Sequence, residues 1–274
     1  MKSGHIYVVQ MCSGVHPEEN LEQLKALLSQ QTLMQPALVC LPESWLAFCQ
    51  TPQQTLGQAQ NNAYWITQIQ QLCRDFNIWL AAGTIALTDG LGRYYAASLL
   101  FNNEGVEVAR YNKIHLFDAD VADSAGQYRE STLTRPGDDI VTVDSPFGRL
   151  GLSVCYDLRF PGLYQAMREQ GAEILLVPSA FTTVTGAAHW QPLLQARAIE
   201  TQCYVVAAAQ VGEHENGRQT YGHSLVVSPW GVCLGEAQTQ VGVIHAQLDL
   251  SDLHAIRQKM PVAAHNRFKS DFYE

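Results

Sequence analysis

The 274-residue chain is short of positive charge: 17 lysines and arginines face 26 aspartates and glutamates, for a formal net charge of -9. That balance argues against a nucleic-acid-binding surface and against docking on an anionic membrane. It lacks a CxxC pair, so its seven cysteines, odd in number and widely scattered, support neither a zinc ribbon nor a dithiol redox site. Cysteines of this kind fit a reducing, cytoplasmic setting. It also lacks a GxSxG elbow, and its histidines do not occur where a strand turns, which leaves a Ser-His-Asp hydrolase without support. No apolar run reaches the ~18 residues of a membrane span, and the first, about six residues long, does not read as a signal peptide. Linkers, low-complexity segments and tandem repeats are missing too, so a single domain over 1–274 is expected.

What is present is a chain 47% hydrophobic, enough to bury a large layered core. Apolar runs at 6–11, 37–41, 78–87, 94–101 and 106–112 read as strands, the last three joined by the Gly-bearing turns TDGLG and NNEG. Adjacent hairpins of this kind make the sheet mixed. Further strands are expected at 140–143, 149–154, 173–178, 203–209, 224–228, 232–237 and 241–250. Helical spacing covers 17–30, with Leu21, Leu24 and Leu28 on one face, and 61–76, where Asn61 is the expected cap after a polar connection over 50–60. Pro161 opens a short helix to Gln170. A longer helix from Gly186 should turn Trp190, Leu193, Leu194, Ala198 and Ile199 inward and set Arg197 against Glu200. Ser251 is the expected cap of a final helix to Gln258. The run 115–137 has no regular pattern, which in a compact domain points to a functional loop. Helices alternating with strands on this scale call for an α/β fold with helices outside and sheets inside.

Three residues share one description. Glu43 follows the strand at 37–41, Lys113 stands where the strand at 106–112 stops, and Cys155 ends the strand at 149–154. A lone cysteine beside apolar residues is most often a buried small hydrophobe, and a glutamate past a strand is most often a loop residue or a cap. Together, however, the three suffice for acyl transfer: a thiol attacks a carbonyl carbon, a carboxylate takes its proton, and an ammonium faces the developing oxyanion.

The stretches PES at 42–44, KIHLFD at 113–118 and CYDLRFP at 155–161 resemble the signatures of the carbon–nitrogen hydrolase (nitrilase) superfamily. The resemblance runs over essentially the whole chain and implies a four-layer αββα sandwich with mixed sheets, commonly assembled as a homodimer or higher homo-oligomer. It implies catalytic roles for Glu43, Lys113 and Cys155, a supporting role for Glu130, and an oxyanion contact from the backbone N–H of Tyr156. The chemistry calls for no metal or organic cofactor. The block 179–231 is most similar to deaminated glutathione amidases, which cleave their substrate to 2-oxoglutarate and cysteinylglycine. Omega-amidases acting on 2-oxoglutaramate, other carbon–nitrogen hydrolases and a catalytically idle binding member are the alternatives. A small anionic amide entering a protein of charge -9 needs local cations. Arg159 is the candidate for a carboxylate clamp, or else for a structural ion pair. Phe181, Thr182 and Thr183 are candidate pocket wall, as are His189 and Trp190, which could equally be cap and core. The loop at 118–129 is where such enzymes shape the pocket mouth.

Overall fold

The computed structural model describes residues 3–123 and 126–270. Met1, Lys2, Ser124 and Ala125 (the last two in the expected mouth loop) and the final residues 271–274 lie outside it. The first strands are β1 (Ser3–Gln10), β2 (Ala37–Cys40), β3 (Trp79–Ala81), β4 (Ile85–Thr88), β5 (Tyr94–Phe101) and β6 (Glu107–Asn112), followed by a small hairpin of β7 (Asp118–Asp120) and β8 (Gln127–Arg129). Then come β9 (Thr142–Ser145), β10 (Gly148–Leu152), β11 (Ile174–Leu176), β12 (Tyr204–Ala207), the short pair β13 (Val211–Glu213) and β14 (Gln219–Tyr221), β15 (Leu225–Val227), β16 (Cys233–Glu236) and β17 (Gly242–Asp249). One sheet has the order β17-β1-β2-β3-β5-β4 with β6 on β5, and the other β16-β15-β12-β11-β10-β9. Both are mixed: β1, β2 and β3 run parallel, as do β10, β11 and β12, and their neighbours pair antiparallel.

The layering follows from alternation along the strands. In β1, Tyr7 and Val9 face the buried cluster that holds Leu21, Leu24 and Leu28 of α1 (Pro17–Ser29) and Trp65, Ile69 and Leu72 of α2 (Pro52–Phe76). Ile6 and Val8 point the other way, into a cluster shared with Leu150, Leu152, Leu175 and Val206 of the second sheet. The far face of that sheet is covered by α3 (Pro161–Glu169), through Leu163 and Met167, and by α4 (Thr183–Thr201), through Trp190 and Leu194. Helix, sheet, sheet, helix is the expected four-layer αββα sandwich. The chain closes with α5 (Leu250–Lys259) and α6 (Val262–His265).

Several local expectations are corrected. Residues 52–60 are helix, because Thr51 and Gln54 form a reciprocal capping box with Pro52 in the first turn. The first turns of α2 are largely exposed, so apolar spacing could not reveal them. Asp249 caps α5, its carboxylate accepting the Ser251 N–H at 2.8 Å. In α4 it is Arg197 that turns inward, donating to the Leu158 carbonyl at 3.1 Å and to Glu200 at 2.8 Å, while Ile199 is half exposed. The loop at 115–137 contains β7, β8 and a 3-10 turn at Glu130–Thr132.

The expected single strand over 78–87 is broken at Gly83, which sits at φ +49°. A Cβ there would lie 1.9 Å from the Pro42 carbonyl oxygen, so only glycine lets the chain pass beneath the segment that carries Glu43. Gly83→Ala adds that clash to a left-handed penalty of roughly 1–2 kcal/mol. It should lower unfolding stability by at least about 2 kcal/mol in urea titrations. An unchanged midpoint would contradict this account of the crossing.

Candidate active site

The direction of the strands brings the candidate residues together. Strands β2 and β3 are parallel, and β6 shares their direction because β3 and β6 both pair antiparallel with β5. Their C-terminal ends therefore open on one rim, where Glu43 and Lys113 sit. The parallel strands β10 and β11 present Cys155 and the segment 178–182 from the facing sheet.

Lys113 is the centre of the group. Its ammonium lies 2.8 Å from Glu43 Oε1 and 2.8 Å from Glu130 Oε2, and the residue is only 2% exposed. Glu130 Oε2 also accepts the Phe117 N–H at 2.6 Å, which ties the loop back onto the site. Glu43 is fixed through its backbone: its carbonyl accepts from the buried Gln210 side chain at 3.0 Å. The next residue, Ser44, at φ +54°, donates its N–H to Thr84 Oγ1 at 2.8 Å. Trp45 is buried beyond it, with its indole N–H on the Ala82 carbonyl at 2.8 Å.

Cys155 opens a 3-10 turn over Cys155–Arg159 and stands at φ +47°, a conformation costly for any residue with a Cβ. Its N–H is held by the Pro178 carbonyl at 2.9 Å. Two residues on, the fully buried Asp157 locks the turn. One carboxylate oxygen accepts Tyr111 Oη at 2.7 Å and the Val154 N–H at 2.8 Å. The other accepts the His115 N–H at 3.0 Å and meets His115 Nδ1 at 2.7 Å. Tyr111 and His115 flank Lys113 in sequence, so one carboxylate joins the cysteine turn to the lysine segment.

The electrostatics follow from burial and this pairing. Burial pushes Glu43 up, but the charge and hydrogen bond of Lys113 outweigh it, and its carboxyl is held below the ordinary 4.5. Glu130 is raised by burial, with the Glu43 charge adding to it against the pull of Lys113, so it takes the first proton as pH falls. For Lys113 burial alone would lower the pKa, and the charges of Glu130 and Glu43 instead hold it well above 10.5. The Cys155 thiol is pushed well up, first by burial and then by the Glu43 charge it faces. The resting group is thus a neutral thiol beside an ionised carboxylate.

These residues line a cavity of about 400 Å³, a size suited to a small organic ligand. Arg159, Phe181 and Thr182 are in its wall. The Arg159 guanidinium lies 5.3 Å from the Phe181 ring centre and forms no ion pair among the described residues. Three expected wall residues are placed elsewhere. Trp190 is fully buried, with its indole N–H on the His223 carbonyl at 2.7 Å. His189 is exposed outside the cavity, 3.2 Å from Arg159. Thr183, the first residue of α4 after the Thr182 cap, does not line the cavity, whereas Thr185 does. The sequence reading missed Phe48, Asn62, Tyr128 and Arg218, all of which line the cavity. The basic residue in GEHENGRQTYGH was the available signal for Arg218. Tyr128 lies in the loop expected to shape the mouth, and nothing in spacing singled out Phe48 or Asn62.

With the geometry in view, similarity to known proteins is informative. Residues 6–258 match the carbon–nitrogen hydrolase family. The chain is 42% identical over 273 residues to the deaminated glutathione amidase of Yersinia enterocolitica, covering 98% of this chain and 95% of that protein. It is 38% identical to the deaminated glutathione amidase of Dictyostelium discoideum, over 95% of this chain and 93% of that one. The crystal structure of the Caenorhabditis elegans NitFhit protein matches with a TM-score of 0.91 at 38% identity, covering 97% of this chain and 66% of that longer one.

The buried triad of charges sets a pH-dependent stability. Glu43 contributes above its ordinary 4.5 and loses that contribution as pH falls through its lower folded value. Lys113 contributes fully below 10.5 and loses its share only as pH rises through its higher folded value. In Lys113→Met the two carboxylates face each other without a cation, and both folded pKa values rise. That variant should lose about 3–5 kcal/mol at neutral pH. The deficit should narrow as pH falls from about 8 toward 5, because protonation relieves the repulsion. Chemical denaturation across that range checks this, and a deficit independent of pH would contradict the assigned charges.

Proposed function

This chain belongs to the carbon–nitrogen hydrolase family, and from that premise we propose that it is an amidase that hydrolyses deaminated glutathione to 2-oxoglutarate and cysteinylglycine through a thioester on Cys155. The observation that carries the reading is a thiol, a carboxylate and a buried ammonium meeting in a cavity whose wall also holds the guanidinium groups of Arg159 and Arg218, which form no ion pair among the described residues. The relatives named for that activity support the substrate.

The proton inventory closes with the residues present. Glu43 takes the thiol proton as Cys155 Sγ attacks the amide carbon, which becomes tetrahedral. The oxygen gains its negative charge beside Lys113 and the backbone N–H of Tyr156. The C–N bond then breaks, Glu43 returns its proton to the leaving amine, and the acyl group stays on sulfur. Glu43 next takes a proton from water, whose oxygen attacks the thioester. The C–S bond breaks, and the proton passes back to the thiolate. Glu130 acts on Lys113, keeping the ammonium aimed and charged. Arg159 holds a substrate carboxylate, its guanidinium placed over the Phe181 ring.

Steady-state kinetics on deaminated glutathione, 2-oxoglutaramate, an N-carbamoyl amino acid and a simple nitrile test the assignment. Deaminated glutathione should exceed 2-oxoglutaramate in kcat/KM by at least about tenfold. A preference for 2-oxoglutaramate would make the protein an omega-amidase with the same chemistry, and no turnover of any of the four would favour an idle binding member.

A further inference from the structure

Three arginines line the cavity: Arg129, Arg159 and Arg218. Arg129 is neutralised by Asp120 at 2.9 Å, whereas Arg159 and Arg218 form no ion pair with a carboxylate among the described residues. Arg218 is nonetheless held in place. Its guanidinium carbon lies 5.0 Å from the ring centres of both Phe48 and Tyr128, and one terminal nitrogen donates to the Ala180 carbonyl at 3.3 Å. Its Nε is buried with no hydrogen-bond partner. A guanidinium held against two aromatic rings loses little freedom on binding, and its charge, without an ion pair among the described residues, suits an anion in an acidic protein.

The two cations sit differently with respect to the reacting groups. Arg159 lies against Phe181 and Tyr156, on the cysteine turn and the segment after β11. Arg218 lies against Phe48, in the segment that follows Glu43, and its charge helps to hold the Glu43 carboxyl low. In the mechanism above, Glu43 delivers the proton to the departing nitrogen, so the leaving amine lies on the side of Glu43.

We infer that Arg218 binds a carboxylate carried by the leaving amine, so that the cavity recognises amides with an anionic group on each side of the scissile bond. This rests on the amidase reading above and deepens it. Arg159 takes the carboxylate of the acyl half, and Arg218 takes that of the amine half. Deaminated glutathione has one carboxylate on each half. 2-Oxoglutaramate, which releases ammonia, leaves Arg218 without a partner.

The test compares deaminated glutathione with its C-terminal carboxamide, which differs only in the charge on the amine half. Wild type should prefer the acid by at least about tenfold in kcat/KM, as expected for a charge-assisted hydrogen bond. Arg218→Gln should bring that ratio close to one, and Arg218→Lys should restore part of it. Arg159→Gln should weaken both substrates together and keep the ratio. A wild-type ratio near one overturns the inference without any variant, so it remains testable even where Arg218→Gln does not fold. A ratio that survives in Arg218→Gln, or that collapses in Arg159→Gln instead, overturns it as well. Failure of the underlying reading looks different: wild type would turn over 2-oxoglutaramate and neither cysteinylglycine amide.

Discussion

The site depends on one buried ammonium. Lys113 is withdrawn from water at the end of β6, and an unpaired cation there would cost several kcal/mol. The fold answers with two carboxylates from distant parts of the chain, Glu43 past β2 and Glu130 in the loop after β6, each 2.8 Å from the nitrogen. Two carboxylates and one ammonium leave the cluster with an excess negative charge. Burial first, and then the charge of Glu43 against the opposing pull of Lys113, keeps the neighbouring Cys155 protonated at rest. In the proposed mechanism thiolate formation is therefore tied to proton transfer onto Glu43, the carboxylate that the thiol faces.

Around this interaction the structure spends its buried polar groups on alignment. Asp157 is fully buried and joins the turn that carries Cys155 to Tyr111 and His115 on either side of Lys113. Gln210 reaches from the segment after β12 to the Glu43 carbonyl, and Gly83 lets the crossing chain pass under Pro42. Removal of any of these would leave the reactive side chains present but poorly aimed. A misplacement of about 1 Å can cost two orders of magnitude in rate.

The layered fold and the residues that meet at Lys113 could be read from the sequence because both rest on local rules. Apolar runs bounded by turn residues marked the strands, leucines at helical spacing marked α1, and Glu43, Lys113 and Cys155 each stand at a strand end, while Glu130 was indicated only by the family resemblance. What was not read either lacked an apolar pattern or depended on three-dimensional neighbours. The exposed start of α2 is specified by the Thr51–Gln54 capping box and not by an apolar face. Trp190 and His189 follow one another near the start of α4, but helix rotation buries one and exposes the other. In the same helix Arg197 takes the inward position expected for Ile199, because its guanidinium finds the Leu158 carbonyl and Glu200 there. Arg218 lies in a charge-rich loop whose sequence gives no sign that Phe48 and Tyr128, far away in the chain, would enclose it.

The central claim is that Cys155 carries the acyl group while Glu43 and Lys113 manage proton and charge. Acid quenching during turnover of deaminated glutathione, followed by intact-mass analysis and peptide mapping, addresses it directly. The account predicts a mass increase equal to the 2-oxoglutaryl group, located on the peptide containing Cys155 and absent from Cys155→Ala. An adduct on Cys49 or another cysteine, or undiminished turnover by Cys155→Ala, would contradict it.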